Sequence, residues 1–280
     1  MGEPSTSISP TAHYTAAVWA RHGLSHPQLS TSTGRAMYWA AWTATLASRA
    51  LGGAGLEGFL LARHMLIDRL LESAIERGEV SQVIEIAAGM SPRGWRFAER
   101  HGGRLTYIET DLPAMAARKR LALERAGSLG AGHRVHALDA LSEGGEESLE
   151  TLAASLDTGA GLAIVSEGLL SYLDRNAVLD LWRRAARVLS RFPSGSMLSD
   201  LHLASENSGL ITAVGVRMLS AFVRGRVEMH FEDEGQALEA LAQAGFGEAF
   251  LHRGSEVSDA RSADAIRVIE AQGLAARAGG

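Results

Sequence analysis

Residues Ser81 to Pro113 constrain the fold more tightly than any other stretch. Val83, Ile84 and Ile86 form a short apolar run that reads as a buried strand, and Ala87, Ala88 and Gly89 follow as a turn of small residues. Pro92 is placed for the first turn of a helix, where its missing N–H costs nothing. Arg104 to Ile108 read as a second strand, with Asp111 just past its end. An acid about 20 residues beyond such a turn holds ribose hydroxyls, while the small turn lets a ligand approach backbone N–H groups. The unit therefore reads as an adenosine-binding half of an open α/β sheet. It is not the dinucleotide fingerprint G-x-G-x-x-G, because Ala87 and Pro92 stand at the first and third glycine positions. Taken alone, the turn also reads as an ordinary tight connection between strand and helix.

The alternation continues along the chain. Leu56 to Gly78 carries Phe59, Leu60, Met65, Leu66, Leu70 and Leu71 at helical spacing ahead of the first strand. On this helix Arg63, His64 and Asp68 lie close together, and His64 with Asp68 reads as a solvated pair one turn apart. Pro113 opens a helix over Ala114–Ala126; His133–Leu138 is a third strand ending at Asp139, followed by a helix over Glu146–Leu156. Gly161–Val165 is a fourth strand, apolar throughout as in a sheet covered on both faces, and it ends at Ser166-Glu167-Gly168. Asp174 caps a helix that reaches Leu189, and Ser196–Leu203 is a fifth strand. Repeated strand–helix units demand a parallel sheet with right-handed crossovers. Helical runs at Glu206–Val223 and Glu232–Ala244 lead to two strand-like runs, Phe246–His252 and Ala265–Ala271, the hairpin-like pair that a seven-stranded sheet with one reversed strand requires.

The predicted fold is thus α/β, a Rossmann-like, seven-stranded, mostly parallel sheet over residues 56–280 with an N-terminal helical cap over residues 1–55. The cap is rich in aromatics: Tyr14 and Trp19 in a helix over Thr11–His22, then Tyr38, Trp39 and Trp42 in a helix over Arg35–Leu51. It reads either as a layer on the sheet edge or as a lid over substrate. Polar residues collect at the carboxyl ends of the strands, the edge where open α/β sheets bind ligands: Glu85 with Gly89, then Asp111, Asp139, Glu167 and His202.

Composition narrows the chemistry. A net charge of -5 shows no basic surplus for nucleic acid. The absence of cysteine excludes disulfides, thiolate metal sites, cysteine nucleophiles and cysteine-held iron–sulfur clusters. Met1–Pro10 lacks the basic start and apolar core of a signal peptide, and no apolar run is long enough for a bilayer. A soluble cytoplasmic protein with no membrane or metal partner is the expectation. A homodimer is compatible with it.

Four segments together resemble the leucine carboxyl methyltransferase-like family of S-adenosylmethionine-dependent O-methyltransferases, a group that includes bacterial polyketide O-methyltransferases. They are Leu61-Ala62-Arg63-His64; Ile84 through Arg96; Ile108-Glu109-Thr110-Asp111-Leu112-Pro113; and Ser166-Glu167-Gly168-Leu169-Leu170-Ser171-Tyr172-Leu173. The resemblance covers roughly residues 60–205 and implies the class I methyltransferase fold with S-adenosylmethionine as cofactor. It implies that Arg63 grips the carboxylate of the cofactor's methionine part, where lysine could not copy the planar fork. It implies that the Ala87–Gly89 turn lies against the cofactor, that Asp111 bonds both ribose hydroxyls, that Asp139 and Ala140 flank the adenine, and that Glu167 faces the methionine amino group. Ala87 departs from the family, which usually has glycine there. Arg93 matches the arginine of the family's Arg-x-Trp-Arg-like tail and reads equally as a salt-bridge partner of a nearby acid.

Methyl transfer from a sulfonium is an in-line displacement, for which positioning supplies much of the acceleration. A carboxylate acceptor is already ionised; a phenol or alcohol needs a base. His202, Tyr172, His13 and Tyr14 are the candidate catalytic residues for a small-molecule acceptor, each with a bland alternative in packing or solvation. Two other readings stand beside the O-methyltransferase. One is a nicotinamide-dependent oxidoreductase on the same sheet, which lacks a Tyr-x-x-x-Lys pair because the only lysine, Lys119, follows no tyrosine at that spacing. The other is a non-catalytic sensor of an adenosyl ligand.

Overall fold

The computed structural model describes residues 10–40, 56–206, 228–259, 263–264 and 266–274. Helix α1 (Pro10–Arg21), a single 3-10 turn at Pro27–Leu29 and helix α2 (32–40) precede α3 (Leu56–Glu76). The alternating part then runs β1 (Gln82–Ile86), α4 (Arg93–His101), β2 (Thr106–Asp111), α5 (Pro113–Ala126), β3 (His133–Ala137), α6 (Leu149–Ala154), β4 (Leu162–Ser166), α7 (Arg175–Leu189) and β5 (Gly195–Leu201). Helix α8 (Glu234–Ala244) and strands β6 (Phe246–Arg253) and β7 (Arg267–Gly273) close the described chain.

The strands form one seven-stranded sheet in the order β3-β2-β1-β4-β5-β7-β6. Strands β1 to β5 are mutually parallel, and β7 runs antiparallel to both β5 and β6. The single reversed strand is the one the terminal hairpin-like pair predicts. Ile84 lies opposite Ile108 on one side and Ile164 on the other. Because side chains alternate across a strand, this isoleucine row faces one layer and Val83 with Val165 faces the other. The first face packs on Trp182, Leu189 and Phe192 of α7 and its exit; the second packs on Leu66 and Leu71 of α3 and Phe97 of α4. Trp182 is fully buried, and its truncation to alanine removes core volume worth about 3–5 kcal/mol.

Several boundaries differ from the sequence reading for local reasons. Asp111 is the last residue of β2 rather than a residue beyond it, since pairing with β3 extends to Asp111↔Ala137. The helix read from Glu146 begins at Leu149, because the Ser148 side chain accepts the Thr151 N–H at 3.2 Å and caps it. Strand β7 starts at Arg267 rather than Ala265, where its antiparallel pairing with Leu201 of β5 begins. The Asp174 cap stands as read, accepting the Ala177 N–H at 2.9 Å. The helix read over Glu206–Val223, the continuation of the cap helix beyond residue 40 and Trp42 lie outside the described residues.

The N-terminal segment is built into the body. Ala16 and Trp19 of α1 join Leu29, Ala116 and Leu123 in one apolar cluster, while Tyr14, Ala17 and Val18 join Tyr38 and Leu60 in another. Among the described residues no helix is long and apolar enough to cross a membrane.

Candidate active site

The carboxyl ends of β1, β2, β3 and β4 open into a cavity of about 1520 Å³, bordered also by α1 and by residues of the 3-10 turn and the segment after it. Its floor is the turn after β1. Ala87 has φ 52° and is the only non-glycine among the described residues in the left-handed region; Gly89 follows at φ 49°. That conformation costs a residue with a Cβ about 1–2 kcal/mol, so the turn stores strain at the position where the resembling family has glycine. Within the turn the Ser91 N–H donates to the Ala88 carbonyl at 2.8 Å, and further hydrogen bonds tie the turn to β2. The Ala88 N–H donates to the Thr110 carbonyl at 2.8 Å, the Gly89 N–H donates to Asp111 Oδ2 at 2.8 Å, and the Leu112 N–H donates to Asp111 Oδ1 at 2.8 Å. Burial raises the Asp111 carboxyl above its ordinary value; the two N–H donors oppose that and Glu85 adds to it.

A buried charge network forms the wall near β4. Arg63, on α3, donates from Nε to Glu167 at 3.0 Å and from Nη1 to Asp200 at 3.0 Å. Asp200 also accepts the Gly168 N–H at 2.7 Å, which anchors the turn after β4. Gly168, at φ 72°, lies flat against the guanidinium, for a Cβ there would stand 3.3 Å from Arg63 Nη2. Glu167 meets His64 Nδ1 at 2.8 Å and Arg93 Nη2 at 2.5 Å. Burial alone would raise the Glu167 carboxyl, but His64, Arg63 and Arg93 hold it well below the usual carboxylate range.

The structure distributes the predicted residues unevenly. Arg63, Ala87, Gly89, Asp111, Asp139, Ala140, Glu167 and Tyr172 all line the cavity. Glu85 does not: it is enclosed behind the turn, bonded to Arg93 Nη1 at 2.6 Å and to the Tyr107 hydroxyl at 2.8 Å. Arg93 is itself fully buried between Glu85, Asp68 and Glu167, so of its two readings the salt bridge is the one seen. His64 and Asp68 are likewise part of this interior network rather than a solvated pair, with Arg96 bonded to both.

Three of the four candidate catalytic side chains stand behind the lining. On α1 the helical period turns Ala12, Thr15 and Trp19 to the cavity, leaving Tyr14 to stack on Tyr38 at 6.1 Å. His13 is bonded through Nδ1 to the Thr31 hydroxyl at 2.8 Å, and Thr31 is the one that reaches the cavity. His202 stacks on Phe59 at 5.4 Å, with burial lowering its imidazole below the ordinary value. At the end of β5 the residue bonded to the cavity wall is Asp200, two residues earlier, which the sequence reading passed over. Its only sequence signal was its place on the carboxyl edge. Arg118 and Arg125 of α5, two turns apart on one face, also line the cavity and were not read from the sequence.

A family model described as leucine carboxyl methyltransferase matches residues 25–186. A Streptomyces coelicolor protein provisionally named as an S-adenosyl-L-methionine-dependent methyltransferase is 34% identical over 139 residues, 50% of this chain and 46% of its own length. The chain thus spans less than half the length of that relative. Among solved structures, a DUF574-family protein from Streptomyces avermitilis superposes with a TM-score of 0.63 at 15% identity, over 95% of this chain and 100% of the other. The magnesium protoporphyrin IX methyltransferase of Synechocystis PCC 6803, solved with bound SAH, gives a TM-score of 0.50 at 11% identity, over 78% and 86% of the two chains. At these identities the two structures speak for the fold.

Proposed function

Because the chain belongs to the leucine carboxyl methyltransferase family, we propose that it is an S-adenosylmethionine-dependent O-methyltransferase that esterifies a carboxyl group of a small molecule. Family membership carries the cofactor, and the cavity suits it: a small-residue turn, Asp111 at the end of β2, and a guanidinium laid bare by Gly168. In this reading Arg63 holds the cofactor's carboxylate with the donors it does not spend on Glu167 and Asp200. Asp111 accepts the ribose hydroxyls, Asp139 and Ala140 border the adenine, and Glu167, kept ionised by its cations, faces the amino group. Bound there, S-adenosylmethionine supplies a methyl group on a positively charged sulfur. The protein's own part is to orient the acceptor and exclude water. Residues 1–55 act as the cap of a methyltransferase domain over 56–280, with Ala12, Thr15 and Trp19 as the roof.

One observation carries the choice of a carboxylate. No histidine or lysine is among the described residues that line the cavity, its carboxylates Asp111, Asp139 and Glu167 are those given to the cofactor in this reading, and Tyr172 is the only side chain there with an acidic hydroxyl. The stretches outside the described residues contain no histidine, lysine or tyrosine at all. A phenol or alcohol would need a base to lose its proton, whereas a carboxylate needs none. Arg118 and Arg125 add positive charge to the same cavity, and Leu112, Leu121, Leu141 and Tyr172 give it an exposed apolar rim. An anionic acceptor with an apolar or aromatic body, of the polyketide or other secondary-metabolite kind, fits both features.

The test is transfer from methyl-labelled cofactor to matched pairs of acceptors, each pair an aromatic or aliphatic carboxylic acid and its phenol or alcohol counterpart. The expected product is an ester whose label is released by mild alkali. Alkali-stable product would move the assignment to a hydroxyl acceptor, and cofactor binding without turnover on any acceptor would favour the non-catalytic sensor.

A further inference from the structure

The chain's only lysine is buried beneath the turn after β1. Lys119 lies on α5, two turns below Asp111, and its side chain runs back under the sheet edge. Its ammonium donates to the Ala88 carbonyl at 3.4 Å and forms an ion pair with the Glu109 carboxylate. Glu109 is fully buried on β2; its other oxygen meets His133 Nε2 at 2.7 Å, while His133 Nδ1 faces the Ser128 carbonyl at 3.1 Å. Gly94 of α4 makes room for this carboxylate, since a Cβ there would stand 2.4 Å from Glu109 Oε1. An arrangement with a glycine cut away for it is a built feature of the interior. It is also an expensive one, because a buried ammonium and carboxylate lose their hydration.

We propose that Lys119 is a positioning residue for the cofactor: its ammonium fixes the Ala88 carbonyl and thereby holds the strained Ala87–Gly89 turn in the conformation that receives S-adenosylmethionine. This rests on the reading that the turn cradles the cofactor. The turn is secured from above through the Gly89 N–H to Asp111; the Ala88 carbonyl accepts the Ser91 N–H at 2.8 Å within the turn and, from below, the Lys119 ammonium as its second donor. Both anchors belong to the same structural unit, since Asp111 ends β2 and α5 starts at Pro113. Ala87 has a Cβ where glycine would relax unaided, so the turn needs an outside hold.

A consequence is that protonation of the interior and cofactor binding are linked. Burial pushes the Lys119 ammonium down to about 7, with Arg93 of α4 acting in the same direction and Glu85 of β1 against it. Glu109 of β2 pairs with it directly, and burial pushes the adjacent His133 of β3 down to about 4. Cofactor binding that favours the charged ammonium must, by reciprocity, raise the pH at which Lys119 loses its proton.

Having one lysine makes the test direct. The full chain labelled with nitrogen-15 at the lysine ζ position shows a single side-chain ammonium resonance, titrated by NMR with and without S-adenosylhomocysteine. The expected result is that the Lys119 midpoint moves upward on binding, together with a shift of the Gly89 amide. If the Gly89 amide responds and the Lys119 midpoint stays where it was, Lys119 is only structural and the proposal fails. If calorimetry shows binding while neither signal responds, the cofactor lies elsewhere and the underlying reading falls with it.

A charge-balanced variant, Lys119→Met with Glu109→Gln, gives the second measurement. It should bind S-adenosylhomocysteine about tenfold more weakly, the effect of one hydrogen bond to a charged group at its lower end. The dependence of affinity on pH between about 6 and 8, the range around the ordinary His and shifted Lys values, should flatten. Unchanged affinity and an unchanged pH profile in a folded double variant would overturn the proposal.

Discussion

Asp111 Oδ2 accepts the Gly89 N–H at 2.8 Å, so the acid that ends β2 is tied to the turn that follows β1. The same carboxylate takes the Leu112 N–H on its other oxygen. It is therefore oriented before any ligand arrives, with each oxygen keeping further lone pairs for acceptance.

The first prediction follows from that orientation. Asp111→Asn keeps one acceptor and loses the charge, and S-adenosylhomocysteine affinity should fall about tenfold or more. Asp111 should also make binding sensitive to acid. Burial raises its carboxyl, and only the ionised form accepts two hydroxyl donors, so affinity should decline as the pH falls toward that raised value. For folding the sign is opposite. A raised carboxyl contributes stability below its unfolded value and loses it as the pH rises through the folded one. Asp111→Asn relieves the buried charge but turns an amide NH2 toward one of the two backbone N–H donors, so thermal unfolding should show little net change at neutral pH.

Ala87 gives the second prediction. Its φ of 52° costs about 1–2 kcal/mol for a residue with a Cβ, and glycine removes that strain while adding about 0.5–1 kcal/mol of unfolded-state entropy. Ala87→Gly should be neutral to about 1 kcal/mol stabilising in denaturant titration. Ala87→Val, β-branched in the same conformation, should destabilise clearly.

The third concerns the network around Glu167. Arg63→Met removes the cation that Glu167 and Asp200 share; Glu167 keeps Arg93, but Asp200 is left without a guanidinium, a loss of about 3–5 kcal/mol by comparison with other broken buried pairs. Arg63→Lys retains the charge but cannot serve two carboxylates and a ligand from one planar fork, so it should stay folded and bind cofactor more weakly. Because the Glu167 carboxyl is held low, its contribution to stability is present above the ordinary glutamate value of about 4.3 and lost as the pH falls through the folded one. The acid limb of a stability profile should shift to higher pH in Arg63→Lys, by calorimetry or circular dichroism.

The sheet was legible in the sequence because its signals are local. Ile84, Ile108 and Ile164 sit in short apolar runs, and Asp111, Asp139 and Glu167 end them at the edge where the cavity opens. The acids that line the cavity could be read for the same reason. Direction around a helix was harder to read. One residue separates Tyr14 from Thr15, yet Tyr14 packs on Tyr38 and Thr15 lines the cavity. Long-range pairing was not legible at all. Nothing near Arg93 in the chain shows that it will meet Asp68 and Glu167, or near Arg63 that it will meet Asp200. Asp68 with His64 looked like a surface pair because i and i+4 spacing is all that sequence shows; the burial comes from α4 packing over α3.

The last prediction separates a carboxylate acceptor from a hydroxyl one. Tyr172 lines the cavity and is 45% exposed, and among the candidate catalytic residues it alone faces the space beside Gly168. If the acceptor is a carboxylate, no proton leaves it during transfer. Tyr172→Phe should then change kcat by no more than about threefold, short of the hundredfold or more that general-base catalysis contributes. His202→Asn and His13→Asn, which stand behind the wall, should behave the same way provided the variants fold. The rate should be flat from neutral pH upward and fall only where the acceptor's own carboxyl protonates. Arg118→Gln and Arg125→Gln should instead raise KM for an anionic acceptor and leave kcat in place, because they supply binding rather than chemistry. A drop of a hundredfold or more in kcat for Tyr172→Phe or His13→Asn, with a parent rate that rises with pH as a base loses its proton, would identify a base at work and point to a phenol or alcohol as the group that receives the methyl.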